Sequence, residues 1–363
     1  MSEFYTACYT AIKIIYEGVN ISADIAPYLL SFDYTDKSSD ESDDIQITLE
    51  DKNGKWLSPW FPSKGDKIKA SIEFYSYGKN RKTLSLPCGS FEVDEIEFSE
   101  PPMQITVKAV ATPITSSAVG QLKTKAWENI NLKNIAQEIA NSNALTLFFD
   151  STRNPVYTRK DQIKISDLNF LKGLCRDAGF ACKCTAGQIV IFEESLYEEK
   201  QPVCTVHRGD SRIISTSFRS KTTDTYKAAN VTYHDSLLDE TQSATVSADD
   251  APDNGKTLEI NQSVISVAEA ESLGTARLRN ANKRENSGHI TLTGMPGAVG
   301  GGVIECSGWG EFDGRYFIVS AKHSYSESGY QVELEINETA SSKSSKKKKK
   351  NKQKIVVQHD SLL

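Results

Sequence analysis

Gly65-Asp66-Lys67-Ile68-Lys69-Ala70-Ser71-Ile72-Glu73-Phe74 opens on a turn and then alternates without a break. Ile68, Ala70, Ile72 and Phe74 fall on one face, and Lys67, Lys69, Ser71 and Glu73 on the other. A period of two over eight residues predicts a strand with one side in a core and the other in water. The period recurs on both sides of this stretch. Residues 11–17 are β-rich and Gly18 breaks them, while Ile45, Ile47 and Leu49 alternate up to the turn Asp51-Lys52-Asn53-Gly54. Downstream, Phe91 and Val93, then Ile96 and Phe98, then Ile105, Val107 and Ala109 continue it, with Pro101-Pro102 as a turn. Short strands with closely spaced turns predict a small barrel or sandwich. Residues 33–44, acidic and serine-rich, read as a loop between strands.

The pattern changes near residue 115. Leu132, Ile135, Ala136, Ile139 and Ala140 recur at helical spacing behind Asn131 as N-cap. A second helix is predicted from Ser166 as cap through Leu168, Leu171, Leu174, Cys175 and Ala178 to Gly179. A hairpin of residues 180–184 and 188–192 follows, turning at Ala186-Gly187. Strands return after residue 203, over residues 213–219 and 228–234, and a polar stretch then runs to about Asn254. Ser266-Val267-Ala268-Glu269 is a capping box opening a third helix, with Ala270, Leu273, Gly274, Leu278 and Ala281 inward. Residues 289–293, 302–307, 315–323 and 329–336 read as the last strands. The expected fold is therefore mainly β, two β-rich units flanking an α+β middle.

Composition limits the function. Of the 363 residues, 38% are hydrophobic and 25% charged, ordinary for a folded soluble chain. No apolar run approaches the roughly 18–20 residues of a membrane helix. The first residues, Met1-Ser2-Glu3-Phe4, have no basic or apolar signal-peptide region, so residence in a cytoplasm is expected. Residues 341–363 hold eight lysines and one acid, Asp360; without them 34 basic face 47 acidic residues, about −13. A body of this charge repels nucleic acid. The tail itself reads as disordered, or as a tether in which the lysines meet an acidic partner surface and Ile355-Val356-Val357 and Leu362-Leu363 dock as apolar anchors.

Cys175, Cys182, Cys184, Cys204 and His207 could hold zinc, but no C-x2-C pair exists, and packed, reduced thiols are the expectation for seven scattered cysteines. No G-x-S-x-G occurs, and His323 lies inside a predicted strand as a core or interface histidine. Glu193-Glu194 and Glu198-Glu199 resemble an acid/base pair for sugar hydrolysis, yet read better as a solvated linker. The run Gly297-Ala298-Val299-Gly300-Gly301-Gly302 lacks the Lys-Ser/Thr of a phosphate loop and precedes a strand, so it is a turn requiring glycine. Trp56, Trp60 and Phe61 could stack on a sugar, but packing over a barrel end is the plainer account. No catalytic, cofactor-binding or metal residue is expected, and the chain is not expected to be an enzyme.

Several stretches, in order and at their spacing over residues 10–337, resemble the phage late control gene D family, the baseplate hub proteins of contractile tails. They are Gly54-Lys55-Trp56 with Pro62 and Gly65-Asp66; Cys88-Gly89-Ser90-Phe91-Glu92-Val93-Asp94; Lys125-Ala126-Trp127 with Asn131-Leu132-Lys133-Asn134-Ile135-Ala136; Ser166-Asp167-Leu168-Asn169-Phe170-Leu171 with Ala178-Gly179-Phe180; and Gly294-Met295-Pro296-Gly297 with Gly314-Arg315-Tyr316-Phe317, His323 and Gly329-Tyr330. The resemblance implies two similar β-barrel tube domains, residues 1–114 and 203–340, flanking an α+β middle of residues 115–202, with residues 341–363 outside the pattern. It further implies a homotrimeric ring whose six barrels surround a channel and adapt a six-fold tail tube to a three-fold central spike, with wedge proteins at the rim. No cofactor follows from it. The site of assembly would be a bacterial cytoplasm and the destination a phage tail or tail-like particle. The rival expectation is a β-rich cell-wall or carbohydrate-binding tail module.

Overall fold

The computed structural model describes residues 8–77, 81–111, 120–185, 187–223, 225–235, 240–247, 255–262, 264 and 267–346. Its first unit holds β1 (Tyr9–Tyr16), β2 (Val19–Asn20), the single turn α1 (Ser22–Ile25), β3 (Leu29–Lys37), β4 (Asp44–Glu50), β5 (Lys67–Tyr77), β6 (Lys82–Ser99) and β7 (Gln104–Val110). The alternation read from the sequence becomes their two faces. Ile12, Ile14, Phe32, Tyr34, Ile45, Ile47, Leu49, Ile68, Ile72, Phe74, Phe91 and Val107 share one core. In β6 the apolar phase moves from Phe91 and Val93 to Ile96 and Phe98, and the register against β7 slips between Val93 and Glu95. One extra residue there turns the strand over, as a β-bulge does.

The middle comprises β8 (Leu122–Asn131), α2 (Leu132–Ser142), β9 (Thr146–Asp150), β10 (Val156–Ser166), α3 (Asp167–Ala178), β11 (Phe180–Thr185), β12 (Gln188–Glu193) and α4 (Glu194–Glu198). Asn131 caps α2 as expected, its side chain accepting from the Asn134 amide at 2.8 Å. Gly179 ends α3 in the left-handed region at φ +79°. The hairpin is present as β11 and β12, although Ala186 of its turn lies outside the described residues. Leu132, Ile135, Leu171, Cys175, Ile189 and Ile191 are among the side chains of a second core.

The rest of the chain holds β13 (Cys204–His207), β14 (Ile213–Ser220), β15 (Tyr226–Asp235), β16 (Glu240–Ser247), β17 (Lys256–Asn261), α5 (Val267–Asn282), β18 (Asn286–Thr293), β19 (Val303–Ser307), β20 (Gly314–Ser326) and β21 (Gly329–Glu338). Strands β15, β16 and β17 form a separate sheet, and α5 packs on it with a core of Val231, Ala244, Val264, Ala270 and Leu273. Gly274 permits that approach, since a Cβ there would lie 2.8 Å from Val246 Cγ2. Among the described residues the remaining strands join those of the first unit in one sheet. Hydrogen bonding runs β14-β18-β21-β20-β3-β4-β7-β6-β5-β1-β2, with β13 and β19 beside β20, thirteen strands in one sheet. The pairing of β20 with β3 over Ser320–Ser326 and Ser31–Lys37 joins the two β units.

The mainly β fold with an α+β middle is as expected, and three local readings are corrected. Residues 33–37, read as loop, complete β3, because Asp33 and Thr35 face solvent while Tyr34 and Asp36 face inward. The polar stretch before Asn254 contains β16, whose Ala244 packs on α5. Residues 340–346, assigned to a disordered tail, are helical. Buried Lys343 reaches the Asn282 carbonyl at 2.8 Å and Glu285 at 3.2 Å, and Lys346 meets Glu338 at 2.6 Å. A low-complexity segment folds here because the body supplies acceptors for its lysines. The rest of the tail, residues 347–363, and Ser266 of the capping box lie outside the described residues. Glu269 of that box pairs with Lys160 of β10 at 2.8 Å.

Candidate functional site

Residues directly opposite in neighbouring strands share a face of the sheet, so the register fixes which side chains form the solvent side of the long sheet. From Glu95 and Glu97 on β6 it passes to Lys108 on β7, Gln46 on β4, Asp33 on β3, Ser324 on β20, Gln331 on β21, Thr293 on β18 and the serines of β14. On the strands from β14 to β7 and the end of β6 this face is mostly polar, and acids outnumber bases on it: Asp33, Asp44, Glu50, Glu95, Glu97, Glu333 and Glu335 against Lys37, Lys108, Lys322 and Arg219. Across β5 and β1 it carries Lys13, Lys67 and Lys69 with Glu73, beside the apolar Ala11 and Ile15. Lys108 sits 3.1 Å from Glu95 and 3.7 Å from Glu97, and Lys322 lies 3.6 Å from Asp33. These exposed pairs contribute little stability; they leave a hydrated, net-negative wall. Among the described residues the sheet has three open edges, one of them β13, which pairs only with β19. β14 pairs only with β18, and β1 has β5 on one side and, at Ile15 and Tyr16 alone, β2 on the other.

Where the units meet, buried polar groups stand beside an apolar cluster of Ala181, Phe192, Val303 and Phe317. Lys183 of β11 donates to Asp36 at 2.7 Å, to Asp43 at 3.3 Å and to the Lys37 carbonyl at 2.8 Å. The second Asp36 oxygen accepts from the Gly300 amide at 3.0 Å. One carboxylate thus ties together the first unit, the middle and the glycine run of the last unit. A Cβ on Gly300 would stand 2.9 Å from the backbone of Asp36, Lys37 and Ser38, so the run serves close packing. Burial lifts the Asp36 carboxyl to about 6 despite Lys183, and Asp43 adds to the rise. His323 of β20 is fully buried, stacks on Tyr34 and Tyr330, and shares a 2.7 Å hydrogen bond with the Tyr330 hydroxyl. Burial pushes its imidazole down to about 4. A neutral ring sealed in the seam between units is a packing residue, as expected.

The other candidate residues are dispersed or already paired. Cys175, Cys182 and Cys184 lie in the middle core, where burial raises the Cys175 thiol. Cys204 packs against the core of β18 to β21, and His207 bonds the Ser307 hydroxyl at 2.5 Å. The five are not brought together, and among the described residues no three metal-ligating side chains gather. Glu193 and Glu194 are no solvated linker: Arg153 lies 2.9 Å from Glu193, Lys283 3.5 Å from Glu194 and Arg279 2.7 Å from Glu198. Each acid is clamped by a cation from a neighbouring element, which takes it out of water. Glu199 is exposed. Sequence reading missed Asp167, the first residue of α3. Gln162, Asn143 and Lys123 converge on its carboxylate, at 2.9, 3.0 and 2.5 Å. Burial alone would raise it, but these bonds together hold it below the usual carboxylate range. Gln162 sits five residues before it, behind a bulge, where no periodic pattern reveals the pairing.

Trp56 is buried at one end of the first unit, packed edge-on to Tyr28 and Trp60. Trp60 and Phe61 are 41% and 51% exposed. Behind them opens an apolar cavity of about 290 Å³, lined by Ile14, Ile25, Leu49, Ile68, Val107 and Trp60 among others. Lys55 caps the rim, 5.0 Å from the Trp60 ring and 2.8 Å from the Tyr28 hydroxyl.

No family model matches the chain. It is 24% identical over 189 residues to the probable baseplate hub protein of Escherichia phage 186, an overlap of 52% of this chain and 46% of that one. Against the probable baseplate hub protein of Escherichia phage P2 it is 24% identical over 203 residues, 54% and 50% of the two chains. The chain thus spans about half the length of the curated relatives it matches. In fold it is similar to the 43 kDa tail protein of prophage MuSo2 from Shewanella oneidensis, with TM-score 0.69, 14% identity and 91% and 99% of the two chains covered. It is equally similar to the tail protein from Neisseria meningitidis MC58, with TM-score 0.69, 11% identity and 93% and 98% covered. The family resemblance read from the sequence is borne out by these relatives.

Proposed function

We propose that this chain, a relative of the phage baseplate hub proteins, is itself a structural hub, a ring of three copies around a channel. One observation carries the proposal: a single sheet runs through both β units, mostly polar and net acidic on the solvent side of its central strands, and open at β14 and at β1. An exposed edge is a template for another strand, and unlike edges on opposite ends suit a head-to-tail contact that closes into a ring. With two β units per copy, three copies present six, which lets a six-fold tube meet a three-fold spike. The acidic polar face lines the channel and keeps a passing polyanion from adhering. The tail tube, central spike and wedge proteins are the partners, assembly takes place in a bacterial cytoplasm, and the role is non-enzymatic.

Light scattering of the purified protein, alone and with its spike, tests this reading. A mass of three chains is expected under at least one condition, and Ile214→Glu on the β14 edge, where Ile214 is 54% exposed, is expected to weaken it. A strict monomer with the spike present overturns the hub.

A further inference from the structure

The cavity beneath Trp60 is apolar, open and built from described residues: strand positions such as Ile14, Leu49 and Ile68, α1 with Ile21 before it, and Trp56, Trp60 and Pro62 of the β4–β5 connection. A cavity of about 150 Å³ holds a benzene-sized group, and this one, about 290 Å³, has room for two branched aliphatic side chains. We propose that it receives Leu362 and Leu363 of the same chain, with the intervening lysines laid along the acidic body.

Three observations select that occupant. The body carries about −13, and residues 347–363 hold six lysines and one acid, so the segment is drawn to the surface it must cross. The helical residues 340–346 fix its point of departure, because Lys343 and Lys346 are held by Glu285 and Glu338 beside the start of β20. Reach then distinguishes the two apolar pairs. β20 is 13 residues long, about 40 Å, and its far end, Ser326, pairs with Ser31 close to Leu29 and Leu49 at the cavity. From Lys346, Ile355 to Val357 span about 30–40 Å at full extension, whereas Leu362 and Leu363 span about 55–60 Å. Only the leucines arrive with slack.

The test uses the full chain with the photoreactive residue benzoylphenylalanine in place of Phe61, between the cavity-lining Trp60 and Pro62. On irradiation, cross-links to residues 360–363 are expected, within one copy when isotopically light and heavy proteins are mixed. Leu362→Ser with Leu363→Ser is expected to reduce the yield about tenfold, and raising salt to reduce it further. Absence of the cross-link overturns the proposal. So does a link only between copies, an undiminished yield in the serine variant, or an equal yield from the same probe at Val156 on the middle unit.

Discussion

Asp36 and His323 stand close together in the seam and titrate in opposite senses. His323 is neutral in the fold, with its pKa lowered to about 4; its contribution is complete above pH 6.5 and is lost as pH falls toward 4. The loss is about 3 kcal/mol at the acid end. Asp36, raised to about 6, contributes most when protonated, below its ordinary pKa near 4, and that contribution disappears as pH rises through 6. Melting between pH 4 and 7 should therefore show His323→Gln less acid-sensitive than the parent and Asp36→Asn more so; parallel curves for all three would falsify the assignment. Gly300→Ala forces a Cβ into rigid backbone and is expected to lose about 1–3 kcal/mol in denaturant unfolding. Chelators are expected to leave the melting point unmoved, because the buried cysteines are divided among three separate cores; a large drop with zinc recovered from the protein contradicts that reading.

Elements were legible where one pattern repeats and obscure where a partner decides. Ser166, at the N-cap position of α3, makes no side-chain capping bond, whereas the Asn131 cap of α2, the Gly179 end of α3 and the alternation of β4, β5 and β7 follow from local sequence. The end of β3 did not, because Asp36 reads as a loop residue until Lys183, 147 positions away in sequence, neutralises it. The same holds for residues 340–346, whose serines and lysines become a helix against Glu285 and Glu338. Asn131→Ala, which removes the α2 cap, is expected to cost about 1 kcal/mol, measurable by urea unfolding. A chain stopped at Thr339 is expected to melt clearly below one stopped at Lys346. Equal midpoints for the two truncations show that the helix contributes nothing.

At the scale of the whole molecule the polar face and the open edges belong to one object, the sheet that passes from β14 to β1. In an electron-microscopy map of the assembled particle, Asp33, Gln46, Lys322 and Glu333 are expected to face the channel, with acids in excess. A map with that face turned outward, or a strongly basic channel, removes the basis for the proposed lining.

The sequence by itself determined which residues are inside, where most strands and three helices lie, and that the fold is mainly β, because alternation and capping are carried by neighbours in the chain. The scattered stretches from Gly54 to Tyr330 also sufficed to identify its relatives. Only the tertiary structure decided that the two β units share one sheet, that the buried cysteines part into three cores, that Glu193 and Glu194 are clamped, and that a cavity opens behind Trp60. Each of these depends on a pairing between residues far apart in the chain, such as β3 with β20 or Asp36 with Lys183. Strand alternation states which face a residue takes but not which strand lies beside it, and that choice is made only when the whole chain packs.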